Sequence, residues 1–158
     1  MSESGASVVG IYTASAAGAP MVSQREAVLV AGLGIEGDRY ALHTGTWSAP
    51  RRHDQELTFF SAEVAEAIGI EPQLARRNLI THGIDLVDLI GVRFRIGDAV
   101  LAGRRVCAPC RYIQQINGIA GLTKALSGAH GGLRAHIIEG GTIRVGDAIE
   151  LLGLDAAG

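Results

Sequence analysis

Chemistry in this sequence would centre on two cysteines, in Cys107-Ala108-Pro109-Cys110. A pair at this spacing has three uses. One is thiol–disulfide exchange, with a helix N-terminus lowering the first thiol's pKa. Arg111–Ile116 does read as helical, but the pair sits late in a β-rich chain instead of in an early βαβ unit. A second use is zinc binding. The pair would supply two of the usual four ligands, and His130 and His136 would complete a Cys2His2 set. The stretch from Cys110 to His130 is longer than a zinc finger's and not finger-like. In the third, one cysteine works and the other is incidental. Pro109 fixes the backbone before Cys110, and Arg104, Arg105 and Arg111 favour a thiolate, the form that acts as nucleophile and soft-metal ligand. Against all three stands a buried structural cysteine, since free Cys behaves as a small hydrophobe.

Three further segments carry candidate groups. Arg76-Arg77-Asn78-Leu79 offers guanidinium forks suited to phosphate or carboxylate oxygens, with Asn78 either a turn residue or a pocket residue. Gly128-Ala129-His130-Gly131-Gly132-Leu133-Arg134 offers a backbone that a ligand can approach closely and an arginine for an anion. Gly34-Ile35-Glu36-Gly37-Asp38-Arg39 suggests a turn with an Asp–Arg pair. It lacks the Gly-Lys-Ser/Thr ending of a P-loop and is not a dinucleotide-binding fingerprint. Residue type alone leaves Glu36 and Asp38 as either acids or turn formers, and His43 and His53 as loop residues near or far from a site.

The elements that must position these groups read as mostly β. The 22 glycines lie between β-branched runs without a Gly-X-Y period, as the turns of a barrel would. Strands are expected at Val8–Tyr12, Ser23–Val30, Leu57–Phe60, Asn78–Thr81 and Ala135–Glu139, with a long loop over residues 40–54. Ser61 caps a helix whose apolar face is Val64, Ala65 and Ile68 and which stops at Gly69; a short helix starts near Pro72. Phe94–Leu101 and Ile143–Glu150 echo one another as strand–Gly-Asp–strand, read as two hairpins. Such strand pairs at the end of the chain leave no room for a parallel βαβ sheet. No linker interrupts the 158 residues, so a single domain is expected, its core about residues 8–152.

Composition limits function. A formal net charge of −2 excludes the strong field of a nucleic-acid binder. No run of about 18 apolar residues marks a membrane span. Met1-Ser2-Glu3-Ser4 lacks the positive start of a signal peptide, and two cysteines without an export signal suggest a reducing, cytoplasmic setting.

Taken in order, the segments resemble the MOSC family, the domain named for the C-terminal part of molybdenum-cofactor sulfurases. Gly32–Tyr40 resembles its early Gly-x-x-Gly-Asp-Arg segment. Arg77-Asn78-Leu79, Gly83–Leu86 and Leu89–Ala99 resemble its central block, Pro109-Cys110 its Pro-Cys, and Gly131-Gly132 with Gly140–Asp147 its closing segment. The resemblance spans roughly Val8 to Leu152. It implies a β-barrel of the MOSC or pyruvate-kinase barrel type with a few short helices. It further implies that Cys110 either ligates molybdenum, as the catalytic and metal-binding residue, or carries a persulfide as a sulfur-carrier module. Family members that bind molybdenum cofactor (molybdopterin) reduce N-hydroxylated or N-oxygenated compounds with electrons from a flavin or haem partner. That would make Arg77, Asn78, Gly131, Gly132 and Arg134 the holders of the cofactor's phosphate and pterin. Cys107 is an extra cysteine beside the working position and leaves a Cys107–Cys110 disulfide or redox role open. The short chain would need its electron donor in trans.

Overall fold

Alternating apolar residues build a curled sheet whose inner face is the core. The computed structural model describes residues 5–16, 18–42, 56–107 and 131–155. Within them lie β1 (Ser7–Thr13), β2 (Val22–Gln24), β3 (Glu26–Val30), β4 (Gly34–Ile35), α1 (Arg39–Leu42), β5 (Leu57–Ser61) and α2 (Ala62–Ile68). They continue with β6 (Leu79–His82), β7 (Val92–Ile96), β8 (Ala99–Val106), β9 (Leu133–Glu139), β10 (Gly141–Arg144) and β11 (Ile149–Leu154). Two 3-10 turns, Pro72–Ala75 and Leu86–Leu89, flank β6. Among the described residues no helix is long and apolar enough to cross a membrane.

Eight strands form one sheet in the order β11-β7-β8-β9-β5-β6-β1-β2, and β10-β3-β4 form a second. The large sheet curls back on itself: Ser7 bridges to Ala148, and Ile149 N–H donates to the Ala6 carbonyl. This seam brings β1 back to the start of β11. Inside the curl lie Val8, Ile11, Leu57, Phe59, Leu79, Phe94, Leu101, Leu133, Ala135, Ile137 and Ile149. Phe59 and Phe94 meet edge to face at 5.8 Å between centroids, an arrangement the ring quadrupoles favour.

β5 is buried on both faces. Leu57 and Phe59 point to the barrel core, while Phe60 packs with Ala65, Ala75 and Ile80 in a second cluster beneath α2. Ser61 caps α2 by accepting from Val64 N–H, and Gly69 ends it at φ 76°. The helix returns the chain so that β6 pairs with β5 in parallel. The sheet therefore holds one parallel β-α-β unit, while its other strand pairs are antiparallel, so it is not a parallel βαβ sheet. A helix followed by a short turn is enough crossover for that single pair.

Two other expectations change. Ser23–Val30 divides at Arg25, where the chain leaves β1 as partner and joins the smaller sheet. Of the two Gly-Asp hairpins only β7–β8 forms. Gly146-Asp147 instead carries the chain from one sheet to the other, β10 pairing with β3 and β11 with β7. The physical reason is the partner of that turn. Gly146 N–H donates to the Val8 carbonyl and Val8 N–H to the Asp147 carbonyl, so the turn is tied to β1. The segment expected as a loop at 40–54 begins with the last residues of α1; residues 43–55, with His43 and His53, lie outside the described residues.

Candidate functional site

Five expected site residues converge on the middle of β5. Arg77 follows the 3-10 turn Pro72–Ala75, and its Nε donates to the Gly131 carbonyl at 3.1 Å, across 54 residues of sequence. Gly132 sits beside that contact with φ 104°. A Cβ there would clash with the Phe59 carbonyl oxygen and stand 3.6 Å from Arg77 Nε, so only glycine lets β9 begin this close to β5. Asn78 is fully buried. Its Oδ1 accepts from Thr58 N–H and from Thr58 Oγ1, both at 3.2 Å, and its Nδ2 donates to the Tyr12 carbonyl at 3.1 Å. Thr58 is the register partner of Arg134 on β9. Asn78 thus ties β5, β6 and β1 together next to Arg77, with its side chain committed to protein partners.

The guanidinium groups give the site its character. Arg77 and Arg134 are buried, and Arg77 Nη2, Arg134 Nε and Arg134 Nη1 have no hydrogen-bond partner among the described residues. Arg134 also stands opposite Arg105 in the β8–β9 register, and like charges directly opposite one another repel. Buried, unpaired cationic donors are costly unless an acceptor accompanies them.

The turn that presents Arg77 is itself held. Arg76 adopts φ 56°, the one positive value for a non-glycine among the described residues. Its carbonyl accepts from Arg39 Nη2 at 2.9 Å. Arg39 Nη1 lies 3.1 Å from Asp38 Oδ1, which also accepts from Ala14 N–H. The expected Asp–Arg pair is present, and it is a fully buried clamp under Arg76, so Asp38 acts as a structural acid. Glu36 is exposed.

Cys110 lies outside the described residues, as do Arg111–Ile116 and His130. Cys107 directly follows β8, and its N–H donates to the Gly132 carbonyl at 2.8 Å; it is fully buried and its thiol is free. Burial of this kind suits packing, since reactive thiols are partly exposed. Arg104, expected beside Cys110, has its guanidinium 3.5 Å from the buried Asp155. Of the zinc set, only Cys107 and His136 are described. Among the described residues no three His, Cys, Asp or Glu side chains gather as a metal site.

Two features had no sequence signal. Buried Glu56 lies 2.7 Å from His136 Nδ1 and accepts from Ile137 N–H at 2.8 Å; the pair is 80 residues apart in sequence. The second is a cleft of about 470 Å³ lined by Ser61, Glu63, Val64, Gly83, Ile84, Asp85, Leu86 and Gly132. Glu63 accepts from Gly83 N–H at 2.7 Å. Burial alone would raise the Glu63 pKa, but hydrogen bonds from Gly83 N–H, its own N–H and the Ser61 hydroxyl, with the charge of His82, outweigh it. They hold the carboxyl below its ordinary 4.5.

The described residues form a mostly β, curled barrel with two buried arginines, Arg77 and Arg134, near a glycine turn. The sequence profile of the MOSC domain matches residues 53–150, more than half of the chain, and the chain belongs to that family. Its fold is similar to the YuaD protein from Bacillus subtilis, with TM-score 0.70, 22% identity, and coverage of 92% of this chain and 94% of that one. It is also similar to YiiM from Geobacillus stearothermophilus (TM-score 0.70, 14% identity, 93% and 75% coverage). YiiM from Escherichia coli gives a TM-score of 0.64 at 20% identity, with 92% and 69% coverage. No curated protein matches the chain in sequence.

Proposed function

We propose that this MOSC protein binds molybdenum cofactor and uses it to reduce N-oxygenated or N-hydroxylated compounds. The observation that carries the reading is the set of buried guanidinium N–H groups on Arg77 and Arg134 that have no acceptor among the described residues. A phosphate supplies several acceptor oxygens in one place, and paired guanidinium forks are suited to it. Arg77 and Arg134 would hold the cofactor's phosphate. Asn78 would fix the strand that carries Arg77, and Gly131-Gly132 would keep the wall free of side chains.

Cys110 would be the metal ligand and the catalytic residue. Its chain leaves β8 at Cys107, whose N–H is bound to Gly132, and three residues reach at most about 11 Å. A thiolate suits molybdenum as a soft ligand. When bound, the cofactor supplies the two-electron redox chemistry, and the protein supplies binding, orientation and charge. Electrons would come from a flavin or haem partner protein.

The test is to express the protein in a host that makes the cofactor and to measure molybdenum and oxidised pterin on the wild type and on Cys110→Ala. Molybdenum on the wild type that is lost in the variant supports the reading. Absence of both from the wild type overturns it. A gain of one sulfur atom on Cys110 with a persulfide donor would then favour a sulfur carrier.

A further inference from the structure

Glu56 and His136 border the arginine site without a role in holding an anion. The β5–β9 ladder pairs Leu57 with Ala135 and Thr58 with Arg134. Leu57 and Ala135 belong to the barrel core, so by alternation Glu56 and His136 stand on the opposite face, with Thr58 and Arg134. His136 lies two residues from Arg134 along β9, about 7 Å. We propose that His136 is the general acid of the reduction, passing a proton from Nε2 to the substrate oxygen, and that Glu56 is the residue that positions it. This deepens, and rests on, the reductase reading above.

The carboxylate holds the ring by one edge. The Glu56 side chain is 1% exposed and that of His136 19%. Glu56 Oε1 accepts from Ile137 N–H at 2.8 Å, while Oε2 lies 2.7 Å from His136 Nδ1. The first contact finishes the ladder where β5 begins, and a glutamine would serve it equally. The second is what calls for a carboxylate, since burying a charge is costly unless it is paired and hydrogen-bonded. An ionised carboxylate only accepts, so Nδ1 carries a hydrogen whatever the charge of the ring. Nε2 is then the nitrogen that gains and loses a proton.

The other charged groups described around the pair are Arg134, Arg105 opposite it on β8, and Arg93 and Arg104, both paired with Asp155. A guanidinium is not deprotonated in proteins, so among these side chains the imidazole is the one suited to give up a proton near neutrality. Reducing an N–OH group to N–H consumes two electrons and two protons and releases water. The N–O bond breaks. Its oxygen takes the proton from His136 Nε2 and leaves as water, while its nitrogen takes the electron pair and a proton from solvent. The two electrons come from the flavin or haem donor. Partial exposure lets His136 regain its proton from water.

The experiment has two parts, both on the full chain. In the cofactor-free protein, nitrogen-15 histidine spectra should show the neutral His136 ring with its hydrogen on Nδ1. Glu56→Gln keeps an acceptor for Ile137 N–H, turns an amide donor toward Nδ1 and should move that hydrogen to Nε2. Protein loaded in a cofactor-producing host is then offered hydroxyurea, benzohydroxamic acid and N-hydroxyguanidine, with reduced methyl viologen as electron donor. His136→Gln should lower kcat about a hundredfold or more, as for loss of a general acid, with KM and molybdenum content unchanged. It should also abolish the alkaline fall of the wild-type kcat, and Glu56→Gln should lower kcat at unchanged molybdenum. A wild-type neutral ring with its hydrogen on Nε2, or a His136→Gln enzyme that keeps its kcat or loses it only in step with its molybdenum, overturns this proposal alone. Wild type that carries no molybdenum, or that carries it and reduces none of the three compounds, overturns the reductase reading and this proposal with it.

Discussion

Replacing Arg134 with methionine should stabilise the anion-free protein and abolish its response to anions. The side chain is buried, and two of its guanidinium nitrogens lack a partner among the described residues. Leaving a buried donor unsatisfied costs about 1–3 kcal/mol, more when it is charged. Methionine retains much of the volume and removes both donors. For both donors that is about 2–6 kcal/mol; imperfect repacking returns about 1 kcal/mol of that gain, leaving roughly 1–5 kcal/mol of added stability. At about 2–4 °C per kcal/mol for a chain of this size, Tm should rise by several degrees in chloride buffer. Pyrophosphate should reverse the order. At a hundredfold excess over Kd it stabilises a binder by about 2.7 kcal/mol, so the wild type gains and Arg134→Met does not. Thermal and urea melts of both proteins, with and without pyrophosphate, supply the comparison. An Arg134→Met protein that is less stable than the wild type without anion, or a wild type indifferent to pyrophosphate, would refute the argument that these guanidinium groups await an anion.

Three other outcomes follow from local geometry. Asn78→Ala removes three side-chain hydrogen bonds at a fully buried position and should cost about 1–3 kcal/mol in urea unfolding, from stranding Thr58 and Tyr12 backbone groups. Gly132→Ala places a methyl against the Phe59 carbonyl and should cost at least about 2 kcal/mol from strain and overpacking; a melt unchanged from the wild type would show that β9 starts elsewhere. Glu63 has a pKa held below 4.5, so its contribution is complete above that ordinary value and is lost as pH falls through the lowered one. Glu63→Gln should therefore flatten the acid limb of the urea midpoint below pH 4.5.

Strand periodicity and turn residues made most of the β elements legible, and Ser61 and Gly69 mark the ends of α2 by their own chemistry. What failed was partner choice. The two Gly-Asp turns are alike in sequence, yet only Gly97-Asp98 closes a hairpin, because Gly146-Asp147 is tied to β1. Turn chemistry describes a bend and says nothing of what lies across it. At the site, Arg77, Gly131 and Arg134 suggested an anion from residue type, and the order of family segments linked them. The Arg77–Gly131 contact crosses 54 residues and the Glu56–His136 contact 80, distances over which no local pattern acts. Glu63 and Asp85 lie in separate local segments, and only the meeting of α2 with the segment after β6 places them in one cleft.

The central claim is that the arginine pair holds the cofactor's anionic group. Oxidised pterin should be measured on the wild type and on an Arg77→Gln, Arg134→Met double variant, both expressed in a cofactor-producing host. The account predicts stoichiometric pterin on the wild type and its loss from a folded variant. Equal pterin on the two proteins, or none on the wild type, would contradict it.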